Sequence, residues 1–104
     1  MGWSVQEDRD EVVATFQGHL AAQEGIKSAE AFCAALRSHE AVPVVFDIRE
    51  MTGYDREARV AWQEHLYPMR DRILCIEVRG GNSLVKMGAS VLALALGVRM
   101  KVVP

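Results

Sequence analysis

The chain has 104 residues, of which 50% are hydrophobic and 25% are charged, and its formal net charge is −2. This length and composition are typical of one globular domain, because a chain of this size buries roughly two-thirds of the surface that its unfolded form exposes. The charges of both signs are interspersed and form no basic stripe, which argues against a nucleic-acid partner.

The cysteine content indicates a reducing compartment. Cys33 and Cys75 are far apart and form no CxxC pair. A small secreted domain more often carries several paired cysteines, and the polar start MGWSVQEDRD lacks the pattern of a signal peptide. We therefore expect two reduced thiols packed as small apolar groups, in a cytoplasmic protein.

The first third of the chain predicts a hairpin and a helix. Residues 3–6 and 11–19 have strand-like patterns and flank the charged turn 7–10. After a loop containing Gly25, Ser28 is placed to cap a helix that runs to about residue 39, with apolar residues at helical spacing.

The middle of the chain predicts a strand, a loop and an amphipathic helix. Residues 42–48 (VPVVFDI) are almost wholly apolar, as expected of a strand covered on both faces. A loop follows with Gly53 as its turn residue, and Asp55 is placed to cap a helix that runs to about Tyr67, where the next residue is a proline.

The last third predicts a strand, a helix and a strand. Residues 73–78 (ILCIEV) form the first strand, Ser83 is placed to cap a helix over 84–96, and Gly97 ends it. That helix is apolar nearly all round, and at roughly 20 Å it is short of the ~30 Å hydrocarbon core of a membrane, so we expect a buried helix and no membrane span. Residues 98–103 supply the final strand.

The predicted order ββαβαβαβ indicates an α/β fold over residues 1–104. Strands alternating with helices after an opening hairpin imply a mixed sheet of about five strands and three helices. The later strands are expected to be parallel and joined by right-handed crossovers.

No residue pattern requires catalysis. His19, His39 and His65 lie in different predicted elements and belong to no metal-binding or paired-carboxylate motif, so we expect no catalytic residue, metal or cofactor. Cys75 lies mid-strand without a visible activating neighbour. A small enzyme using His65 or Cys75 is the least favoured interpretation.

A glycine-containing turn, Gly80-Gly81-Asn82-Ser83, precedes the last predicted helix. Its backbone N–H groups could face an anion or another ligand. It has neither the P-loop lysine pattern nor GxGxxG, so ordinary turn chemistry is the simpler interpretation.

The segment DIREMTGYDRE, residues 47–57, links the strand to the amphipathic helix. Loops at the carboxyl ends of strands often carry the functional groups of α/β domains. Asp55 as a cap and Glu57 as a first-turn acid also have a purely structural explanation at the positive end of the helix dipole.

These segments resemble the STAS domain, the module of bacterial anti-sigma-factor antagonists and of the cytoplasmic tails of sulfate transporters. VVATFQGHL stands where the family has a strand running into a glycine and a leucine, and VVFDIREMTGYD stands where it has its characteristic strand, aspartate and loop. Asp47 and Asp55, eight residues apart, reproduce the spacing between the family's strand-end aspartate and the aspartate that opens its helix. In the antagonists that this chain resembles, a partner kinase phosphorylates a serine two positions after the second aspartate. Glu57 occupies that position here, and its side chain carries one negative charge where phosphoserine carries about 1.5 to 2.

The resemblance implies a non-catalytic protein-interaction module of bacterial regulation or signalling. Its partner would be an anti-sigma factor, a kinase-like protein or another STAS subunit. Either the domain binds in a fixed state that resembles the phosphorylated one, or it has lost the kinase-linked role and serves as a scaffold. The residues expected to bind, here called the switch segment, are Met51, Thr52, Gly53, Tyr54, Asp55, Arg56, Glu57 and Arg59.

A small-molecule-binding module is the alternative. A related STAS-like group resembles the CRAL/TRIO lipid-binding domains, and a nucleotide or a lipid could lie between the sheet and its helices. Residues 53–57 and 80–83 would then form the mouth of the site.

The C-terminus suggests self-association. STAS proteins similar to this chain commonly continue past the last strand into a helix, whereas this chain ends at Pro104. An uncovered face or edge of the sheet would expose apolar surface, so we expect a homo-oligomer, most simply a dimer.

Overall fold

The structure is a computed structural model that describes residues 2–104. Within that span the elements follow the predicted ββαβαβαβ order, and a 3₁₀ helix at Tyr67–Arg72 precedes the fourth strand. The elements are β1 (Trp3–Glu7), β2 (Val12–Leu20), α1 (Ala22–Leu36), β3 (Val42–Tyr54), α2 (Arg56–Leu66), β4 (Ile73–Arg79), α3 (Ser83–Leu96) and β5 (Met100–Val103).

The five strands form one mixed sheet in the order β1-β2-β3-β4-β5. β1 pairs antiparallel with β2, and each later pair is parallel. Because consecutive parallel strands are neighbours, right-handed crossovers place all three helices on one face. In that layer α2 contacts both α1 and α3. The predicted mixed α/β sheet is confirmed.

An aromatic cluster fills the core between this face and the helices. The ring centroids of Phe16, Phe32 and Phe46 lie 5.6, 5.1 and 5.4 Å from that of Trp62. The Trp62 indole N–H donates to Ser28 Oγ at 3.0 Å. The cluster therefore combines apolar burial with a satisfied buried polar group.

The helix-free face carries charged side chains. Glu77 pairs with Arg79 at 2.9 Å and lies 3.9 Å from Lys101. Val45 and Asp47 are nevertheless buried on this side. The apolar run of β3 thus indicated burial correctly. The prediction of cover on both faces was wrong, because all three helices lie on the other face and β3 is flanked here only by the neighbouring strands.

The prediction for the start of α1 was wrong. The helix begins at Ala22, and Ser28 lies buried inside it instead of capping it. Gly25, predicted in a loop, is also helical, and a side chain there would collide with the backbone of Ala58. The glycine thus allows α1 and α2 to approach closely.

β3 is longer than predicted. It continues beyond residue 48 to Tyr54, because its end pairs in parallel with β2, including His19 with Gly53. Gly53 is therefore no turn residue. A β-carbon there would lie only 3.3 Å from His19 Nδ1, so the missing side chain leaves room for the imidazole.

The boundaries of α3 differ slightly from the prediction. Asn82, not Ser83, caps the helix, since its Oδ1 accepts from the backbone N–H of Val85 at 2.9 Å. Gly97 ends the helix in the left-handed conformation, with φ of 69°, as predicted.

The burial predicted for α3 on all sides was wrong. Val85, Leu92 and Leu96 face the core. The outward side exposes large apolar residues, with exposed fractions of 59% for Leu84, 63% for Met87, 41% for Val91 and 83% for Leu94.

Residues 2–104 contain no helix with both the length and the apolar character that crossing a membrane requires.

Candidate functional site

The switch segment is not a loop. Its first half, Met51 to Tyr54, is the end of β3, and Arg56 begins α2. Parallel pairing with β2 aligns Gly18 with Met51 and Leu20 with Tyr54. The segment is thereby held in the sheet up to the residue before Asp55.

Asp55 links two helix N-termini. It occupies the N-cap position of α2, but its side chain makes no capping hydrogen bond to that helix. Instead, its Oδ2 accepts from the backbone N–H of Ala22 at 3.0 Å, and its Oδ1 accepts from His19 Nε2 at 2.8 Å. Asp55 therefore caps the first turn of α1.

These contacts stabilise the charged form of Asp55. The hydrogen bond from His19 lowers the pKa of the Asp55 carboxyl below its usual value, and the Ala22 N–H adds to the effect. The backbone N–H of Asp55 also donates to the Leu20 carbonyl at 2.9 Å. The turn into α2 is thus fastened to the turn into α1.

The outward side of the switch segment consists of polar residues. Thr52, Arg56 and Glu57 are all exposed. Glu57 is the second residue of α2, so its carboxylate lies near the positive end of the helix dipole. A partner can reach all three side chains without a rearrangement of the core.

The inward side of the segment lines an apolar cavity. The cavity has a volume of about 70 Å³ and lies between α2, α3 and the sheet. Among the described residues that line it, Arg59 alone is charged, and Tyr54 adds a hydroxyl group. The lining residues are Phe16, Leu20, Phe46, Ile48, Met51, Tyr54, Arg59, Trp62, Val85, Gly88, Ala89 and Leu92.

Tyr54 packs on α3 at Gly88. A β-carbon at residue 88 would lie 2.5 Å from Tyr54 Oη, so the glycine provides the space for the phenol ring. An aromatic side chain of β3 thus packs closely on α3.

The turn formed by Gly80, Gly81, Asn82 and Ser83 lies against the end of β3 and outside the cavity lining. Gly80 and Gly81 have φ values of 70° and 96°, and side chains there would collide with Arg49 and Ile48. The N–H of Gly80 already donates to the Val103 carbonyl at 3.0 Å. These contacts support the turn interpretation over an anion site.

The two segments singled out from the sequence are nevertheless adjacent. Asn82 Nδ2 donates to the backbone carbonyl of Thr52 at 3.3 Å. Residues 53–57 and 80–83 do not form the predicted mouth of a ligand site, because Tyr54 is the one residue among them that lines the cavity.

Asp47 has a different role from Asp55. Arg49 donates to both of its carboxylate oxygens, at 3.0 and 2.7 Å. This pairing lowers the pKa of the Asp47 carboxyl, with a smaller contribution from Arg79. Asp47, predicted at the end of a strand, therefore lies inside β3 and belongs to an ion pair on the helix-free face.

The three histidines lie apart. His19 binds Asp55, His39 Nε2 lies 2.8 Å from Glu7 Oε2, and His65 Nδ1 lies 2.8 Å from the Ala61 carbonyl. Across residues 2–104, His, Cys, Asp and Glu form no group of three or more that could hold a metal.

The two thiols differ in burial. Cys33 is buried, its Sγ donates to the His65 carbonyl at 3.4 Å, and burial raises the pKa of its thiol. Cys75 is half-buried in β4, where it pairs in register with Pro43. Neither contact activates a thiol as a nucleophile.

The sequence interpretation missed the role of His19. Its position opposite Gly53 depends on the register of β2 against β3, which a local pattern does not contain. The only sequence signal was a histidine at the end of a strand followed by a helix.

No family model matches the sequence, and no curated protein does. Several solved structures are similar over almost the whole chain, among them the following two.

The first is an uncharacterized protein of the DUF3478 family with a SpoIIAA-like fold from Shewanella loihica PV-4. It has a TM-score of 0.72 and 13% identity, covering 97% of this chain and 83% of the other. The second is the anti-sigma factor antagonist SpoIIAA in its unphosphorylated form. It has a TM-score of 0.63 and 11% identity, covering 98% of this chain and 89% of the other. The resemblance to STAS proteins is confirmed at the level of the fold, and this chain has a SpoIIAA-like fold.

Proposed function

We propose that this chain is a non-catalytic protein-interaction module of bacterial regulation or signalling that acts in the cytoplasm. One observation carries the proposal: Glu57 is exposed in the first turn of α2, at the position where the STAS resemblance expects a phosphorylatable serine. The partner is an anti-sigma factor, a kinase-like protein or another STAS subunit, and it binds the outward residues of the switch segment.

The surroundings of Glu57 support a preorganised binding surface. The bonds of Asp55 to Ala22 and His19 fix the turn immediately before Glu57. Binding to a fixed surface avoids the entropic cost of ordering a loop. A permanent carboxylate also places negative charge there without a kinase, although less than a phosphate group carries.

The chemistry of the partner follows from this charge. A protein that recognises Glu57 needs a cationic side chain, and an arginine could bind the carboxylate through two hydrogen bonds. Arg56, exposed beside Glu57, would favour an acidic group on the same partner.

Affinity capture from lysate of the protein's own host tests this proposal. Wild type is compared with Glu57→Ser, Glu57→Lys and the matched control Glu64→Lys, since Glu64 is also exposed on α2, seven residues further along. We expect one protein to be retained by wild type and Glu64→Lys and lost with Glu57→Lys. Equal retention by all four proteins would contradict the proposal.

Glu57→Ser tests the fixed state separately. It restores a hydroxyl group at the family's modification position, so a kinase in the lysate and ATP should phosphorylate it there. Phosphorylation is expected to recover the binding that the serine variant loses, and mass spectrometry locates the phosphate. Full binding by the unmodified serine variant would contradict a fixed phosphorylated-like state.

A small-molecule-binding function is the second candidate, and the apolar cavity favours it. The cavity volume of about 70 Å³ is smaller than an ordinary ligand pocket, so a ligand must widen the gap between α2 and α3. Its apolar lining with Arg59 suits an alkyl chain with an anionic head better than a nucleotide, whose base needs several polar contacts.

Fluorescence of Trp62 tests this second candidate, because the indole lines the cavity. A Trp3→Phe variant leaves Trp62 as the single tryptophan and is titrated with a brominated fatty acid or with AMP. Saturable quenching by the fatty acid that weakens in Arg59→Ala would support lipid binding. No saturable change with either compound would contradict it.

A further inference from the structure

α3 presents an apolar surface that neither proposed function uses. Leu84, Met87, Val91 and Leu94 are its exposed large apolar residues, and we call them the α3 stripe. None of the four lines the cavity, and none belongs to the switch segment. Apolar residues clustered on one exposed helix face, rather than scattered singly, mark an interaction surface.

The spacing of the α3 stripe is that of a helix-pairing seam. Its members follow one another at intervals of three, four and three residues. This is the a/d spacing at which two helices pack side chains into one another's gaps. The stripe therefore suits a second helix.

The stripe is also complementary to itself. If two copies of α3 pack antiparallel about a two-fold axis, Leu84 of each copy meets Leu94 of the other, and Met87 meets Val91. A two-fold interface requires that one patch fit its own copy. The stripe meets this condition, because leucine packs on leucine at both ends and methionine packs on valine between them.

The electrostatics of α3 favour the same antiparallel arrangement. Its first turn has no acidic residue and its last turn has no basic residue, whereas α2 has Glu57 and His65 at these places. The helix dipole of α3 therefore has no charged side chain compensating either end. Antiparallel packing places each positive N-terminus beside the partner's negative C-terminus.

We propose that the α3 stripe is the interface of a homodimer in which the two copies of α3 pack antiparallel. The sequence predicted self-association from an uncovered sheet. The structure instead directs the proposal to the outer face of the helix layer, where the most exposed leucine, Leu94, lies. The proposal does not depend on the switch segment.

The area of the stripe indicates a weak dimer. Burying a side chain of this kind removes about 60–120 Å² of apolar surface, so the four partly exposed residues supply on the order of 200–300 Å² per protomer. A standard interface buries about 800 Å² per partner. The dimer therefore belongs to the small, reversible class, and we expect it to form only at high protein concentration.

A membrane surface fits the stripe less well than a second copy. Helices that lie on membranes have polar faces rich in lysine and arginine. Lys86 is the one charged residue in α3, and the whole chain has a formal net charge of −2. An anionic bilayer would therefore gain little electrostatic attraction.

Sedimentation velocity of the full chain from about 1 to 100 µM tests the dimer. We expect the mass to rise from 11.5 kDa toward twice that value, and Leu94→Glu to remain at 11.5 kDa. Leu74→Glu is the matched control, because Leu74 is 61% exposed but lies in β4, and it should dimerise like wild type. Circular dichroism confirms that the variants are folded.

Mixing two single variants tests the antiparallel register. Leu84→Glu and Leu94→Lys should each be monomeric alone, and their mixture should dimerise, because the new charges meet only in the antiparallel arrangement. Glu57→Lys should have the same sedimentation mass as wild type at each concentration. This result would separate the test of the dimer from the test of the switch segment.

Three results would overturn the proposal. They are a wild-type mass of 11.5 kDa throughout the concentration range, equal masses for wild type and Leu94→Glu, and a mixture that stays monomeric. Flotation with vesicles of phosphatidylcholine and phosphatidylserine adds a further check. A monomeric wild type that floats, while Leu94→Glu does not, would assign the stripe to a membrane instead.

Discussion

The two halves of the helix layer differ in how tightly they pack. Between α1 and α2, Gly25 lies against Ala58, and Trp62 contacts Phe32 and bonds to Ser28. Between α2 and α3 lies the apolar cavity, and the outer face of α3 exposes the α3 stripe.

The two halves therefore differ in role: the α1–α2 half stabilises the fold, and the α2–α3 half offers surfaces for binding. The α1–α2 half buries large aromatic residues, and the buried Trp62 N–H is bonded to Ser28. The α2–α3 half contains the features open to a ligand or a second protein. We therefore expect substitutions in the first half to reduce stability and substitutions in the second half to change binding.

Replacing Trp62 should have the largest effect. Trp62→Ala removes the side chain that all three core phenylalanines contact, and we expect a loss of about 3–5 kcal/mol in the free energy of unfolding. Urea denaturation followed by circular dichroism measures it. Leu94→Ala on the exposed stripe serves as the comparison and should change the stability of the monomer by less than about 0.5 kcal/mol. Similar losses for the two variants would contradict the distinction.

Two helical glycines give a sharper comparison. Gly25→Ala forces a β-carbon into the backbone of Ala58 and should cost about 1–3 kcal/mol, although alanine is the better helix former. In Gly88→Ala the new β-carbon contacts only the end of the Tyr54 side chain, which can rotate into the cavity. The free energy of unfolding should therefore change by no more than about 1 kcal/mol. Both values come from urea denaturation. A larger loss for Gly88→Ala would show that the α2–α3 half is the tighter one.

Acid should weaken the connection between the two turns at Asp55. Its pKa is lower in the folded protein than the usual value of an aspartate, so its charged form stabilises the fold above the pKa of the unfolded state. This stabilisation is lost as the pH falls through the folded pKa. Thermal unfolding between about pH 2 and pH 7 measures it. Asp55→Asn should lower Tm at neutral pH and reduce the further loss in acid, and an unchanged pH dependence would contradict the assignment.

Local patterns were sufficient to predict most of the fold. The apolar runs at 42–48 and 73–78 and the spacing in α2 identified their elements, and the left-handed Gly97 ended α3 as predicted. These features are determined by nearby residues, so a single sequence contains the necessary information.

The wrong predictions have tertiary causes. Gly25 and Ser28 were assigned to a loop and a cap, yet the contact with Ala58 and the bond from Trp62 explain both residues inside α1. The end of β3 was predicted as a loop because its pairing with β2 is not local. The composition of α3 also did not show which of its sides faces the sheet.

The candidate site was predictable only in its location. The resemblance drew attention to Asp55 and Glu57, while the bonds of Asp55 to His19 and Ala22 required the register of separate elements. The division of the switch segment into an outward polar side and an inward cavity side likewise depends on how β3 joins α2.

Calorimetric titration of the purified captured partner measures directly what the switch segment contributes to binding. We expect Glu57→Lys to weaken binding at least tenfold, or about 1.4 kcal/mol, because it reverses the charge in the first turn of α2. The control Glu64→Lys should bind like wild type. If the two variants bind equally well, the switch segment is not the partner-binding surface.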